Sequence, residues 1–395
     1  MPRIATRRQG RVRWWLHSEQ DGIPPLLDAL IADPDAVLSD PRSVARESAG
    51  RKRFYRVPGD PPGSDFLVKV FTLRPGTPRL RYLLRWSKAR HEATTAQRLK
   101  ALGFDAAEPV ATGEERSLGL LRKSYSVIPV HPARDLRVLL QDPATTRKER
   151  RALLQAFAVF ARRLHDSGVD QDDFSPNNFL VTDERNFVLI DFERCRIRSS
   201  LGKRRWKLLA KLHRHDLGVS LTERLRFLHA YLGPEAGRAE HRRAWERIHH
   251  EFLQVRARDA RRAARGAFKE GRHLRRDGDV WVVRGRERTP VLRLPLQPGQ
   301  AREAWVLAQQ LERLNLPALR PVRLLPNAIE LEDPGPLLER ADRAALVQAA
   351  RRKFEAYGRF VTEGEWWITR DGAKLRDPCA FRLGARPDLH GIGYR

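Results

Sequence analysis

The chain has 395 residues, room for two or more domains, and 41% of them are hydrophobic, enough for a folded core. A formal charge of +27 favours anionic partners, whether nucleic acid, phospholipid surface, nucleotide or phosphorylated glycan, without choosing among them. Two cysteines, Cys195 and Cys379, are too few for a disulfide framework or a metal cage; no run of about 18 apolar residues offers a membrane span, and the basic N-terminus lacks a signal-peptide apolar core, so a cytoplasmic location is expected.

Residues 1–42 read as a lead segment with one helical stretch, IPPLLDALIADPDAVL. SVARESAGRKRFYRV reads as strand, turn, strand, and DFLVKVF, from Asp65 to Phe71, as a compact strand. KARHEATTAQRLKALGF has helical spacing with Gly103 as its stop, and SYSVIPV is another strand. RKERRALLQAFAVFARRLHDSG is a long amphipathic helix ending at Gly168. The strands NFLV and FVLIDF follow, joined through the turn TDERN, and helices dominate from about Lys203 to Arg265. Strands first and helices later predict an α+β fold rather than a doubly wound sheet. From Gly266 the order restarts with DVWVV, VLRLPL and the helix AREAWVLAQQLERL.

DQDDFSPNNFLVTDERNFVLIDFERCR, from Asp170 to Arg196, holds the densest chemistry. Asn178 stands five positions after Asp173, and Asp191 eighteen after it. That is the spacing of a protein-kinase catalytic loop and the hairpin behind it. The first Asp accepts the proton of a substrate hydroxyl. The Asn and second Asp are hard oxygen ligands for Mg²⁺ on ATP phosphates, and a hairpin brings both ends of the stretch together. Lys69, in the middle of the apolar FLVKVF, suits the cation that such a site needs on the α- and β-phosphates, and Glu92 on the next helix suits its partner. Each residue also has a plainer reading: Asp173 and Asn178 as turn formers, Lys69 as an outward-pointing edge residue, Glu92 as a solvated helix residue. Their joint occurrence, in chain order and on the expected elements, favours function.

At this point the chain resembles the lipopolysaccharide kinase family, the sugar kinases of the bacterial outer-membrane core. FLVKVF, SKARHEATTAQRLKALGFDAAEPVATG and SYSVIPVHPARDLRVLL resemble its small lobe and hinge; GVDQDDFSPNNFLV and VLIDFERCRIR its active-site segments; LTERLRFLHAYLG its late helix. Coverage runs from about Ser43 to Arg265. The resemblance implies a protein-kinase-like bilobal fold, with a small lobe over residues 43–133 and a helical lobe over 134–265. It implies ATP with Mg²⁺ and phosphoryl transfer to a heptose or 3-deoxy-octulosonic acid (Kdo) hydroxyl of the lipopolysaccharide core glycolipid. By the same resemblance Asp173 is the base, Asn178 and Asp191 are metal ligands, Lys69 contacts the phosphates, Glu92 orients it, and the hinge from Ile128 to Val130 meets adenine through its backbone.

Three features depart from the family pattern. Gln171-Asp172 replaces the usual His-Arg before the catalytic Asp, DFE replaces DFG, and the phosphate loop RESAGRKRFYRV has only Gly50, leaving Arg51, Lys52 and Arg53 either as phosphate contacts or as a solvated turn. The basic stretch RCRIRSSLGKRRWKLLAKLHRH is either a solvated face, a grip on acceptor phosphates, or a dock on an anionic inner membrane leaflet. In residues 266–395, REAWVLAQQLERLNLPALRPV echoes HEATTAQRLKALGFDAAEPV, aligning Glu303 with Glu92, while Arg293 falls near the place of Lys69 and WWITRDGAKLRDP echoes the hairpin with Asp377 at its end. No Asp with an Asn five residues on precedes WWIT, so this part reads either as a catalytically dead, shortened kinase-like module or as a chance likeness. Two other classes stay open: a pseudokinase or scaffold, and a kinase for another small-molecule or protein hydroxyl. Specific nucleic-acid binding is not expected, since no zinc-finger spacing, RNP-like motif or helix-turn-helix signature accompanies the charge.

Overall fold

The computed structural model describes residues 5–17, 24–48, 52–61, 63–73, 82, 85–212, 219–271, 273–313, 318–333, 343–355, 360–361, 366–369, 372–375 and 381–382. The chain forms two compact units, Met1–Trp245 and Glu246–Arg395. The fold is α+β, as expected from the element order.

The first unit opens with β1 (Ala5–Gln9), β2 (Val12–Leu16), α1 (Pro25–Ala32), α2 (Pro34–Ser39), β3 (Val44–Ser48), β4 (Lys52–Val57) and β5 (Phe66–Thr72). After α3 (Lys88–Ala101) come β6 (Ala111–Ser117) and β7 (Leu120–Pro129), and the seven strands join in the order β1-β2-β6-β7-β5-β4-β3. Within residues 1–42, expected as a lead segment, β1 and β2 are part of the sheet: β2 runs against β6 from Val12↔Glu115 to Leu16↔Ala111. Period-2 alternation explains it. Val12 and Trp14 point inward while Arg11 and Arg13 are exposed. The inward face of the sheet, with Val68, Val70, Tyr125 and Val127, packs on Leu27, Leu30 and Ile31 of α1.

After the sheet come β8 (Arg134–Asp135), α4 (Leu136–Gln141), α5 (Arg147–Asp166), β9 (Val169–Gln171), β10 (Phe179–Val181), β11 (Phe187–Leu189), β12 (Cys195–Ile197), α6 (Arg204–Leu212), α7 (Leu221–Leu232) and α8 (Arg238–Gly266), the last running on into the second unit from Glu246. α5 forms where the spacing predicts it. Thr146 and Glu149 close a capping box, and Leu153, Leu154, Phe157, Ala158, Ala161, Leu164 and His165 bury one face. Phe157 sits at the centre of a ring cluster, 4.9 Å from Phe179, 5.4 Å from Phe187 and 6.2 Å from Phe174. Phe174, Phe179 and Phe187 belong to the Asp170–Arg196 stretch, so their contact with Phe157 seats that stretch on α5. Among the described residues no helix is long and apolar enough to cross a membrane.

The second unit contains β13 (Leu274–Asp277), β14 (Val280–Val283), β15 (Val291–Pro295), α9 (Pro298–Arg313), β16 (Pro321–Leu325), β17 (Ala328–Glu332), α10 (Arg343–Glu355) and the short strands β18 (Phe360–Val361), β19 (Trp366–Thr369), β20 (Gly372–Leu375) and β21 (Phe381–Arg382). Its five-stranded sheet has the order β13-β14-β16-β17-β15, the same succession as β1-β2-β6-β7-β5 in the first unit. The buried Trp305 of α9 anchors its core and donates to the Ala267 carbonyl at 2.7 Å. Arg293 and Glu303 are both exposed. Asp377 and residues 362–365 lie outside the described residues.

Candidate active site

Strand alternation puts Leu67, Lys69 and Phe71 on the sheet face opposite the α1 core. α3 covers that face, with Ser87 capping its first turn by accepting from the Arg90 N–H. Lys69 is 4% exposed and Glu92 0%, and the Lys69 ammonium donates to Glu92 Oε1. The edge-strand reading of Lys69 is thus excluded: β5 is flanked by β4 and β7, with Phe54 and Ser126 opposite Lys69. Glu92 Oε2 is buried with no hydrogen-bond partner among the described residues, so the helix carboxylate keeps one acceptor in reserve.

The catalytic-type loop is held at three points. Asn178, in a 3₁₀ turn over Pro176–Asn178, donates its side-chain Nδ2 to the Asp173 carbonyl at 2.7 Å. The Ile190 N–H donates to the Asn178 carbonyl at 3.0 Å, and Gln171 Nε2 donates to the Ile190 carbonyl at 3.2 Å. Asp173 and Asn178 are thereby tied to the backbone immediately before Asp191. Phe174 is fully buried beside Asp173 and lies 4.8 Å from the ring of His165, while the Asp173 side chain is exposed. Gln171, the replacement for the usual His, has an architectural role that the sequence did not reveal. Its amide pins the Ile190 carbonyl, one residue from Asp191.

Asp191 adopts φ +59°, a left-handed conformation that Asp tolerates. Lys52 Nζ lies 3.2 Å from Asp191 Oδ1 and also donates to Glu193, and Lys88 donates to Glu193 at 2.9 Å. Burial would lower the Lys52 pKa, but the charges of Asp191 and Glu193 outweigh it and the net shift is upward. Burial likewise opposes ionisation of Glu193, yet Lys52 and Lys88 pull its pKa below the ordinary value. Lys52 shares its sheet face with Lys69, since Phe54 stands opposite Lys69 and Phe71 opposite Lys52, and its ammonium lies 4.7 Å from the Phe54 ring centre. Lys52 thus joins Lys69 and Asp191 around one region. Of the basic turn, Gly50 and Arg51 lie outside the described residues.

An apolar cluster adjoins these groups. Ala107, Ile128 and Val188 are buried, with Leu67, Leu180 and Ile190 packed against them. It draws on the sheet through Leu67 and Ile128 and on the hairpin through Leu180 and Val188. The Val130 N–H already donates to the Asp65 carbonyl at 2.9 Å, so a contact of Val130 with a base would run through its carbonyl.

Four cations of the basic stretch after Asp191, Arg198, Arg204, Arg205 and Lys211, are committed to carboxylates within the unit. Asp170, 1% exposed, takes Arg198 Nε at 2.7 Å and Arg204 Nε at 2.5 Å on Oδ2. Asp172 accepts from Arg204 and from Lys211, each at 3.0 Å. Burial raises the Asp172 pKa less than Lys211 and Arg204 lower it, so its net shift is downward. Arg205 pairs with Asp166 at 3.0 Å. The acids flanking Asp173 thus have their own cations, a pairing hidden in the sequence because its partners are 28 to 39 positions apart.

Among the described residues no group of three or more His, Cys, Asp or Glu side chains forms a ready metal cage. The donors nonetheless fit Mg²⁺. Fixing the Asn178 amide nitrogen on the Asp173 carbonyl leaves its side-chain oxygen for a hard cation, and among the described residues the one ion pair of Asp191 is made through Oδ1, which leaves Oδ2 open.

Residues 76–231 match the lipopolysaccharide kinase (Kdo/WaaP) family, so the resemblance read from the sequence is borne out over that segment. Among solved structures, WaaP in complex with acyl carrier protein is similar at 27% identity, over 51% of this chain and 82% of that one, with a TM-score of 0.39. The ROP18 kinase domain in complex with AMP-PNP and sucrose is similar at 14% identity, over 52% of this chain and 72% of that one, with a TM-score of 0.33. No curated protein matches the chain.

Proposed function

We propose that this protein is an ATP-dependent phosphotransferase whose acceptor is a heptose or Kdo hydroxyl of a lipopolysaccharide core glycolipid. The observation that carries the reading is the buried Lys69–Glu92 pair, on the sheet face from which Lys52 reaches Asp191. In this reading Lys69 lends its charge to the α- and β-phosphates, and Glu92 holds the ammonium in position. The cluster around Leu67, Ile128 and Leu180 receives adenine, with the Ile128–Val130 backbone at its rim. Asp173 accepts the proton of the sugar hydroxyl at its exposed carboxylate. The oxygens of Asn178 and Asp191 hold Mg²⁺, which when bound neutralises charge on the transferring phosphates. Lys52 supplies a second cation beside the metal ligands. A net charge of +27 supports peripheral association with the anionic inner face of the cytoplasmic membrane.

The test is phosphate transfer from labelled ATP to purified core oligosaccharide, with Asp173→Asn beside the unaltered chain. Because Asp173 is exposed, the variant keeps its melting temperature, and turnover falls by about 10²–10⁴-fold. An unchanged rate rejects Asp173 as the base. A second reading, a pseudokinase, draws on Lys52 occupying Asp191 Oδ1. Mg·ATP binding without turnover on any acceptor would select it.

We further infer that residues 266–395 are a shortened kinase-like module without catalytic groups. The repeated strand order supports this, as does the exposure of Arg293 and Glu303 where the first unit buries Lys69 and Glu92. Arg293→Ala with Glu303→Ala is expected to leave turnover unchanged in the same assay.

A further inference from the structure

A cavity of about 480 Å³ opens at the other end of the sheet face that carries Lys69. Six arginines line it: Arg8 and Arg11 from the first hairpin, Arg13 of β2, Arg85 and Arg90 at the approach to and start of α3, and Arg116 of β6. Two tryptophans, Trp15 and Trp86, complete the wall, and Glu114 is its one carboxylate. That carboxylate is already committed: Arg116 holds it at 2.8 Å, and the Ser87 N–H donates to it at 3.4 Å. Arg8 and Arg13 stand directly opposite each other across the β1–β2 ladder, a like-charge pair that costs stability unless an anion lies between. Neither they nor Arg11 and Arg85 have a carboxylate partner among the described residues. Arg90 is held over both indoles, 4.5 Å from the Trp15 ring centre and 5.2 Å from that of Trp86. Stacking leaves the guanidinium edge, with its fork of donors, turned to a ligand in the plane.

We propose that this pocket is a second anion site, separate from the nucleotide region and independent of the kinase reading, which binds a compact phosphate-bearing group. The group is either a phospholipid headgroup or the phosphorylated end of a soluble metabolite. Arginine forks clustered around one cavity match phosphate oxygens bidentately. The pocket has the volume of a small-ligand cleft. A nucleic-acid strand would call for an extended groove with successive open aromatic platforms, and here both indoles are already engaged by Arg90.

The full chain is titrated at low ionic strength with inorganic pyrophosphate, and cosedimented with phosphatidylcholine vesicles with or without phosphatidic acid. The double variant R8Q/R13Q is compared with R261Q/R265Q, which removes the same charge from exposed positions on α8. Affinity is expected to fall by about tenfold or more in R8Q/R13Q and to change little in the control pair. A response to pyrophosphate alone identifies a soluble source; a response to phosphatidic acid vesicles alone identifies a headgroup. If R8Q/R13Q loses its thermal transition, R85Q, off the sheet, takes its place with the same expectation. Binding of neither probe, or equal loss in both pairs, overturns the proposal. So does an oligothymidylate that needs Arg8 and Arg13 and excludes pyrophosphate, because it would assign the surface to a nucleic-acid strand.

Discussion

Lys69 and Glu92 show how far a single residue carries the argument. A lysine in an apolar strand is costly unless paired, and the pair it forms is almost wholly out of solvent. Removing one partner leaves the other as a buried, uncompensated charge, so Lys69→Met and Glu92→Gln are each expected to cost about 3–5 kcal/mol in denaturant unfolding. Lys69→Met with Glu92→Leu is expected to recover much of that stability while turnover stays lost, which separates the pair's structural weight from its chemistry. Gln171 makes the complementary case. Gln171→Ala removes the donor on the Ile190 carbonyl and is expected to cost about 1–3 kcal/mol and to lower turnover, with Gln171→His restoring part of it. The sequence made Lys69, Glu92, Asp173, Asn178 and Asp191 legible because their types and order are unusual together. It did not make Lys52, Lys88 or Glu193 legible as a group, since a lysine in KRFYRV and a glutamate after Asp-Phe look like surface charges until the sheet closes over the hairpin.

Among the elements, the ribbon of β9 and β12 determines where the loop begins. Its register runs from Val169↔Ile197 to Gln171↔Cys195, and it starts at Gly168 with φ +74°. A Cβ there would lie 1.9 Å from the Arg198 carbonyl oxygen, which accepts no such approach. Gly168→Ala is therefore expected to destabilise the chain by more than about 1 kcal/mol and to lower turnover by displacing the Asp170–Asp173 segment, read by thermal unfolding and the transfer assay. Two helix ends were legible, the stops at Gly103 and Gly168, which take φ +78° and +74° just past α3 and α5. The ribbon was not, because three-residue strands carry too little periodicity to register, and pairing between them is decided by Asp170 with Arg198 and Arg204.

Across the whole molecule, buried histidines add to the response to acid that the paired carboxylates Asp172 and Glu193 also carry. Burial holds His165 at about 3 and, helped by the charge of Arg90, His17 at about 4; it also lowers His131 and His249. These groups stay neutral in the folded chain and gain protons on unfolding below about pH 6.5. Their contribution to stability is thus fully present above that pH and is lost as pH falls toward the folded values, each by at most about 1.4 kcal/mol per pH unit. Melting temperature measured from pH 7.5 down to 4 is expected to fall steadily, and His165→Gln is expected to flatten the slope. Composition, strand and helix periodicity and the order of five polar residues sufficed for the α+β class and for a phosphate-transfer reading, because those signals are local or depend only on spacing. Tertiary structure alone decided that β1 and β2 belong to the sheet, that Asp170 and Asp172 pair with Arg198, Arg204 and Lys211, and that six arginines meet at one cavity. Charge acts through distance in space, and no spacing along the chain encodes which cation a folded carboxylate will find.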